Sequence, residues 1–97
     1  MTLDDFRLTL KAPQPPEDLP PALHAMWQDA RGNWDAAHTL AQGIDGKTGA
    51  WIHAYLHRKE GDNANAAYWY RRAGQPVAED GLDEEWARIA AALLKAT

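Results

Sequence analysis

WIHAYLHRKEGDNANAAYWYRRAG, residues 51 to 74, holds two helical patterns separated by a glycine. Apolar residues recur at helical spacing before Gly61, Asp62 can cap a second helix, and Gly74 can end it. Thr48 is a suitable cap for the first of the two helices. The stretch therefore predicts a helical hairpin over residues 48 to 74.

The rest of the chain is divided by glycine and proline into further short helices, and no stretch has the pattern of a strand. The segment APQPPEDLPP holds five prolines and cannot continue a helix. We therefore predict an all-α fold in a single domain over residues 1–97. Its parts are an N-terminal helix and proline-rich arm (1–18), a first hairpin (19–43), a second hairpin (48–74) and a capping helix (82–97).

Composition excludes several classes of function. The 97 residues include no cysteine, which removes disulfides, thiolate nucleophiles and cysteine-based zinc sites. A net charge of -4 disfavours binding to nucleic acid, because that activity needs a positive surface. No apolar run is long enough to span a membrane, and the start MTLDDFRLTL lacks the positive charge of a signal peptide. We expect a cytoplasmic protein that binds neither nucleic acid nor membranes.

An internal repeat relates the two predicted hairpins. Residues 23–37 (LHAMWQDARGNWDAA) align with residues 52–66 (IHAYLHRKEGDNANA) at a constant offset of 29. The identical pairs are His24 and His53, Ala25 and Ala54, Gly32 and Gly61, and Ala37 and Ala66. Glycines and small residues recur where a hairpin needs its turn and its closest helix contact.

The glycine-containing segments of the two copies resemble tetratricopeptide and Sel1-like helical-hairpin repeats. Gly32 and Gly61 resemble the inter-helix turn glycine of those repeats. Ala37 and Ala66 resemble the small residue of their second helix, and Tyr70 and Ala73 resemble the aromatic residue and alanine that follow it. The chain departs from the pattern in its histidines and in its offset of 29, which is shorter than the roughly 34 residues of a tetratricopeptide repeat. The resemblance implies protein binding on a helical-hairpin scaffold.

A second resemblance covers a longer stretch. WIHAYLHRKEGD followed by NAAYWYRRAG looks like a group of small uncharacterised bacterial proteins. It implies a bacterial origin and carries no further expectation about function.

One polar stripe of the predicted 49–60 helix carries His53, His57 and Glu60 on the face opposite its apolar residues. Two histidines at i, i+4 and a carboxylate one turn further can hold a transition metal. The alternative, which we favour, is a solvated polar face with a contact between His57 and Glu60. We accordingly predict no cofactor, and we interpret His38 as a half-buried, hydrogen-bonded histidine.

Stacking the two hairpins in register would place His24, Gln28 and Arg31 beside that stripe. Tyr68 and Arg72 would lie at the edge of the combined surface, where an aromatic residue with a hydroxyl can anchor a partner. We predict a non-catalytic interaction module whose partner is another protein or a second copy of the chain. The alternatives are a small-molecule or metal-binding protein, with enzymatic activity left open, and self-assembly alone. Phosphate loops, nucleophile elbows and catalytic triads are absent from the sequence.

Overall fold

A computed structural model describes residues 1–96, and this part of the chain forms α-helices without any strand. The helices are α1 (Leu3–Thr9), α2 (Pro21–Ala30), α3 (Trp34–Gln42), α4 (Gly46–Lys59), α5 (Asn63–Ala73) and α6 (Leu82–Ala96). The predicted all-α fold of hairpins with a C-terminal helix is confirmed. Within residues 1–96, every helix is too short or too polar to cross a bilayer.

Local capping explains where several helices begin. Thr2 Oγ1 accepts from the Asp5 backbone, and Asp5 Oδ2 accepts from the Thr2 backbone, both at 3.1 Å, which is a capping box. The Asp62 carboxylate caps α5 by accepting from the Asn65 backbone at 3.2 Å. The predicted Thr48 cap was wrong: the chain is already extended at Asp45 (φ -76°, ψ 160°), so α4 starts at Gly46.

The two hairpin turns have the same backbone geometry. Gly32 and Gly61 adopt φ of 84° and 90°, a conformation that favours glycine. The backbone N–H of Asn33 donates to the Gln28 carbonyl, and that of Asp62 donates to the His57 carbonyl, each at 2.9 Å. These are equivalent Schellman-type closures, so the offset of 29 seen in the sequence relates real structural positions.

Helix α4 lies at the centre of the fold. It packs most extensively on α5 and also contacts α2, α3 and α6. The main core joins α1, α2, α3, α4 and α6, and a smaller cluster of Ala54, Ala66 and Tyr70 lies between α4 and α5. The last helix is fixed by Trp86, whose indole nitrogen donates to the Met26 carbonyl at 2.9 Å.

Two buried carboxylates tie neighbouring helices to α4. Glu85, 0% exposed, accepts from Arg58 at 2.8 Å and from the Tyr70 hydroxyl at 2.5 Å. Asp29, which is also buried, accepts from the Tyr55 hydroxyl at 2.9 Å and from Lys59 Nζ at 3.0 Å. Each carboxylate thus has a cation and a phenol as partners, which compensates the cost of burying its charge.

We predict that Gly49→Ala lowers the free energy of unfolding by about 1 to 3 kcal/mol, the usual cost of overpacking. A β-carbon at Gly49 would lie 1.9 Å from the Ile44 carbonyl oxygen, so the backbone of the α3–α4 loop would have to move.

The matched control is Gly43→Ala, where the added carbon would meet the Leu40 carbonyl at 3.6 Å, an ordinary contact. Gly43 has φ -84°, which alanine adopts without strain, so this variant should keep or slightly raise stability. Urea unfolding followed by circular dichroism measures both. Equal effects of the two substitutions would contradict the prediction.

Candidate functional site

His53 and His57 lie in the interior of the fold. They are 6% and 8% exposed, because α3 and α5 cover the face of α4 that carries them. The expectation of a solvated stripe was therefore wrong for both histidines. Glu60, which follows them at the end of α4, is exposed as expected.

A third histidine from another helix joins this pair. His38 of α3 is half-buried, as predicted, but within residues 1–96 it makes ring contacts in place of the predicted hydrogen bond. Its ring centroid lies 4.9 Å from that of His53 and 5.4 Å from that of His57. The centroids of His53 and His57 are 5.8 Å apart. One ring nitrogen from each of the three histidines lies within 4.8 Å of the other two. We call His38, His53 and His57 the histidine cluster.

Tryptophan rings hold the cluster from two sides. Trp34 stacks on His38 with the centroids 4.9 Å apart and the planes at 9°. Trp69 stacks on His53 at 4.3 Å and 17°. The indole nitrogen of Trp34 donates to the Leu56 carbonyl at 2.9 Å, which fixes that ring against α4. The imidazoles therefore have defined orientations.

His57 has a defined tautomer. Its Nδ1 lies 2.7 Å from Glu60 Oε1, and because a carboxylate accepts, Nδ1 carries the hydrogen. Asn65 Nδ2 lies almost equally far from both ring nitrogens of His57, 3.4 Å from Nε2 and 3.5 Å from Nδ1, so the tautomer is assigned from the Glu60 contact alone. Glu60 thus orients His57 and does not join the other two histidines. A separate group of His57, Glu60 and Asp62 lies toward the surface, where both carboxylates are exposed.

Burial keeps two members of the cluster uncharged. It lowers the pKa of His53 from 6.5 to about 4, with further lowering by the neighbouring His38 and His57. Burial also lowers the pKa of His38, again assisted by His57. Both rings are therefore neutral near pH 7, which is the form in which imidazole binds metals.

A nitrogen of His53 lacks a partner within the chain. Among residues 1–96, His53 Nδ1 is buried without a hydrogen bond, and so is the indole Nε1 of Trp51. An indole nitrogen can only donate, whereas an imidazole nitrogen can accept a proton or bind a metal. Buried polar groups ordinarily have a hydrogen-bond partner, so the unpartnered His53 Nδ1 indicates a position where a ligand could bind.

The second set of residues predicted from the repeat, His24, Gln28 and Arg31, lies in a different environment from the histidine cluster. His24 and Gln28 are hydrogen-bonded to each other at 3.0 Å. Arg31 donates to the carbonyls of Leu10 and Ala12, each at 2.7 Å, and so holds the N-terminal arm. Because His53 and His57 are buried, they do not form with His24, Gln28 and Arg31 the single exposed surface that the repeat predicted.

Tyr68 and Arg72 form an exposed pair on α5. Tyr68 is 45% exposed, and Arg72 donates to its hydroxyl at 2.9 Å. The guanidinium carbon lies 5.7 Å from the Tyr68 ring centroid and 5.3 Å from that of Trp69. The predicted exposure of Tyr68 is therefore confirmed, and Arg72 connects it to the ring that stacks on His53.

The sequence interpretation missed the buried Asp29 with its partners Tyr55 and Lys59. These residues help to line a cavity of about 450 Å³ between α1, α2, α4 and α6. Both carboxylate oxygens of Asp29 already accept hydrogen bonds from the chain, so Asp29 does not require a ligand. The histidine cluster, with its unpartnered nitrogen, is the stronger candidate for a ligand.

Comparison with known proteins gives no family assignment. No protein-family model, curated protein or solved structure matches this chain.

We predict that acid weakens the metal-free protein through His53. In the unfolded chain His53 takes up its proton near pH 6.5, but in the folded chain only near pH 4, so the unfolded state binds more protons between these values. The free energy of unfolding should therefore fall as pH is lowered through this window. The contribution of His53 corresponds to about 3 kcal/mol over the whole interval.

Urea unfolding with a chelator present, between about pH 7 and about pH 4, measures this effect. His53→Phe should show a smaller loss of stability over that range than the parent protein. Val77→Ala, which changes an exposed side chain that does not titrate, is the control and should keep the parent's slope. A His53→Phe variant with the parent's pH dependence would contradict the assignment.

Proposed function

We propose that this protein binds a transition-metal ion of the Zn²⁺ class through His38, His53 and His57. The observation that carries the proposal is the buried, unpartnered Nδ1 of His53 inside a group of three convergent imidazoles. Imidazole is a preferred ligand of Zn, Cu and Ni. Three histidines from two packed helices also match the number of protein ligands found in catalytic zinc sites.

The geometry of the cluster is compatible with coordination. A tetrahedral ion with metal–nitrogen bonds of about 2.1 Å holds its ligand atoms roughly 3.4 Å apart. The three ring nitrogens already lie within 4.8 Å of one another. Side-chain adjustments on the order of 1 Å would bring them to the bonding geometry. The stacked tryptophans limit the rings to small movements of this kind.

The surroundings of the cluster suit a metal ligand set. Glu60 accepts the hydrogen of His57 Nδ1, which is the carboxylate–histidine–metal arrangement that orients a ligand and raises its basicity. With Nδ1 engaged by Glu60, His57 Nε2 has no contact shorter than 3.4 Å and is the nitrogen that would bind the ion. Neutral His38 and His53 need not lose a proton to bind near pH 7.

The second candidate is the interaction module implied by the hairpin arrangement. The exposed Tyr68, with Arg72 bonded to its hydroxyl, is the observation that favours it. Tyrosine and arginine are enriched among the residues that dominate binding energy in protein interfaces. This pair would contact another protein or a second copy of the chain.

The metal proposal predicts that Zn²⁺, Co²⁺ or Ni²⁺ raises the melting temperature of tag-free, chelator-treated protein. The rise should grow with metal concentration, because an ion that binds only the folded state stabilises it by mass action. Isothermal titration calorimetry should give a stoichiometry of one ion for each chain.

Variants give a graded test of the same proposal. His57→Ala removes a ligand and should abolish the calorimetric signal, whereas Glu60→Gln removes the orienting charge and should weaken binding by about 10- to 100-fold. His24→Ala, outside the cluster, should bind as the parent does. Lack of binding of all three metals by the parent protein, or equal binding by His57→Ala, would overturn the proposal.

The interaction proposal predicts that Tyr68→Ala weakens association without changing the melting temperature. Sedimentation velocity across concentration would report self-association, and crosslinked capture from a bacterial lysate would report another partner. Val77→Ala is the control, since Val77 is exposed and apolar but lies outside the Tyr68 and Arg72 pair. Association that is equal in the parent and in Tyr68→Ala would contradict this role.

A further inference from the structure

A cavity of about 280 Å³ opens beside the histidine cluster. It lies where the end of α3 and the start of α4 approach α5. The charged, aromatic and large apolar side chains in its wall are those of Ile44, Asp45, Lys47, His53, Trp69 and Arg72. We call this space the α4 cavity.

His53 belongs both to the histidine cluster and to the wall of the α4 cavity. Its ring stacks on Trp69, which lines the same cavity, so the two rings form a continuous part of that wall. His38 and His57 do not line the cavity, so His53 is the residue through which a species in the cavity would approach an ion held by the cluster. His53 is more than nine-tenths buried and has an unpartnered nitrogen, so the same residue is a proposed metal ligand and part of the cavity wall.

Three protein ligands leave a coordination position for a further group. Glu60 is not among the residues whose ligand atoms converge with His38 and His53, and its Oε1 accepts from His57 Nδ1 at 2.7 Å. The ligand set itself consists of neutral imidazoles, so a bound divalent ion would keep its full positive charge. A position of this kind takes water or an anion from outside the chain.

The charges around the α4 cavity favour an anion. Lys47 and Arg72 contribute two positive charges to its wall, against one negative charge from Asp45. The first turn of α4, where the positive end of its helix dipole lies, contributes Gly46, Lys47 and Gly49 to the wall. The wall thus carries a net positive charge of one, and the proposed divalent ion would add to it.

We infer that the α4 cavity holds a small oxyanion, a carboxylate or phosphate, that coordinates the ion and pairs with Lys47 and Arg72. This inference rests on the proposed metal site. Trp69 and Ile44 supply apolar walls that limit competing water, and the volume accepts a small anion in preference to a large cofactor. Arg72 Nη1 donates to the Tyr68 hydroxyl and the guanidinium lies over Trp69, so the side chain is held at the cavity wall and its other nitrogens would serve an anion.

Visible absorption of the Co²⁺-loaded protein tests this site, because the spectrum of Co²⁺ changes when an anion replaces a coordinated water. Separate titrations with acetate and inorganic phosphate should alter the spectrum saturably, and the anion that acts at lower concentration identifies the preferred chemistry. Lys47→Met should weaken anion binding about tenfold, equivalent to about 1.4 kcal/mol. Its affinity for Co²⁺ should match the parent's, since Lys47 lies outside the ligand set.

Lys11→Met is the matched control, because Lys11 is exposed on the N-terminal arm. It should bind both Co²⁺ and anions as the parent does. Failure of the parent to bind Co²⁺ would overturn the metal proposal and this inference with it. Normal Co²⁺ binding with a spectrum that neither anion alters would overturn the anion site alone. Equal anion affinity in the parent and in Lys47→Met would also overturn it.

Discussion

The enclosure of α4 is the constraint on which the rest of the structure depends. Each residue from Ile52 to His57 is buried. Successive side chains of a helix point about 100° apart, so six buried residues in a row leave no free side on this stretch. Every polar group there must therefore find a partner inside the fold. Tyr55 bonds to Asp29, and the arginine and lysine that follow the stretch reach Glu85 and Asp29.

His53 is the exception to this pattern, and its position explains why the candidate site lies where it does. A buried lysine or carboxylate would need a counter-charge, but an imidazole can be buried in its neutral form. Stacking on Trp69 gives the His53 ring van der Waals contacts in place of its contacts with water. His38 is supported in the same way by Trp34. The tryptophans thus allow nitrogen donors to converge in a place where charged ligands would be costly.

Local features of the fold could be predicted from the sequence, because short-range chemistry determines them. The Thr2 and Asp5 capping box and the turn glycines at 32 and 61 depend on neighbours a few residues away. The i, i+4 spacing likewise placed His53 and His57 on one face. Whether that face is buried depends on how α3 and α5 pack, which spacing within α4 does not encode. His38 joins the pair only through this packing, so the third member of the cluster could not be found from a pattern in one helix.

The two hairpins close through turns between adjacent helices, whereas α6 contacts residues distant in sequence. Trp86 bonds to Met26 across 60 positions, and Glu85 bonds to Arg58 across 27. Contacts between near neighbours cost little loop-closure entropy and form quickly, while distant ones form slowly. The hairpins should therefore assemble before α6 docks. During that interval Arg58 and Tyr70 lack the carboxylate that they share in the folded protein, which makes the docking of α6 the step that completes the buried polar contacts of α4.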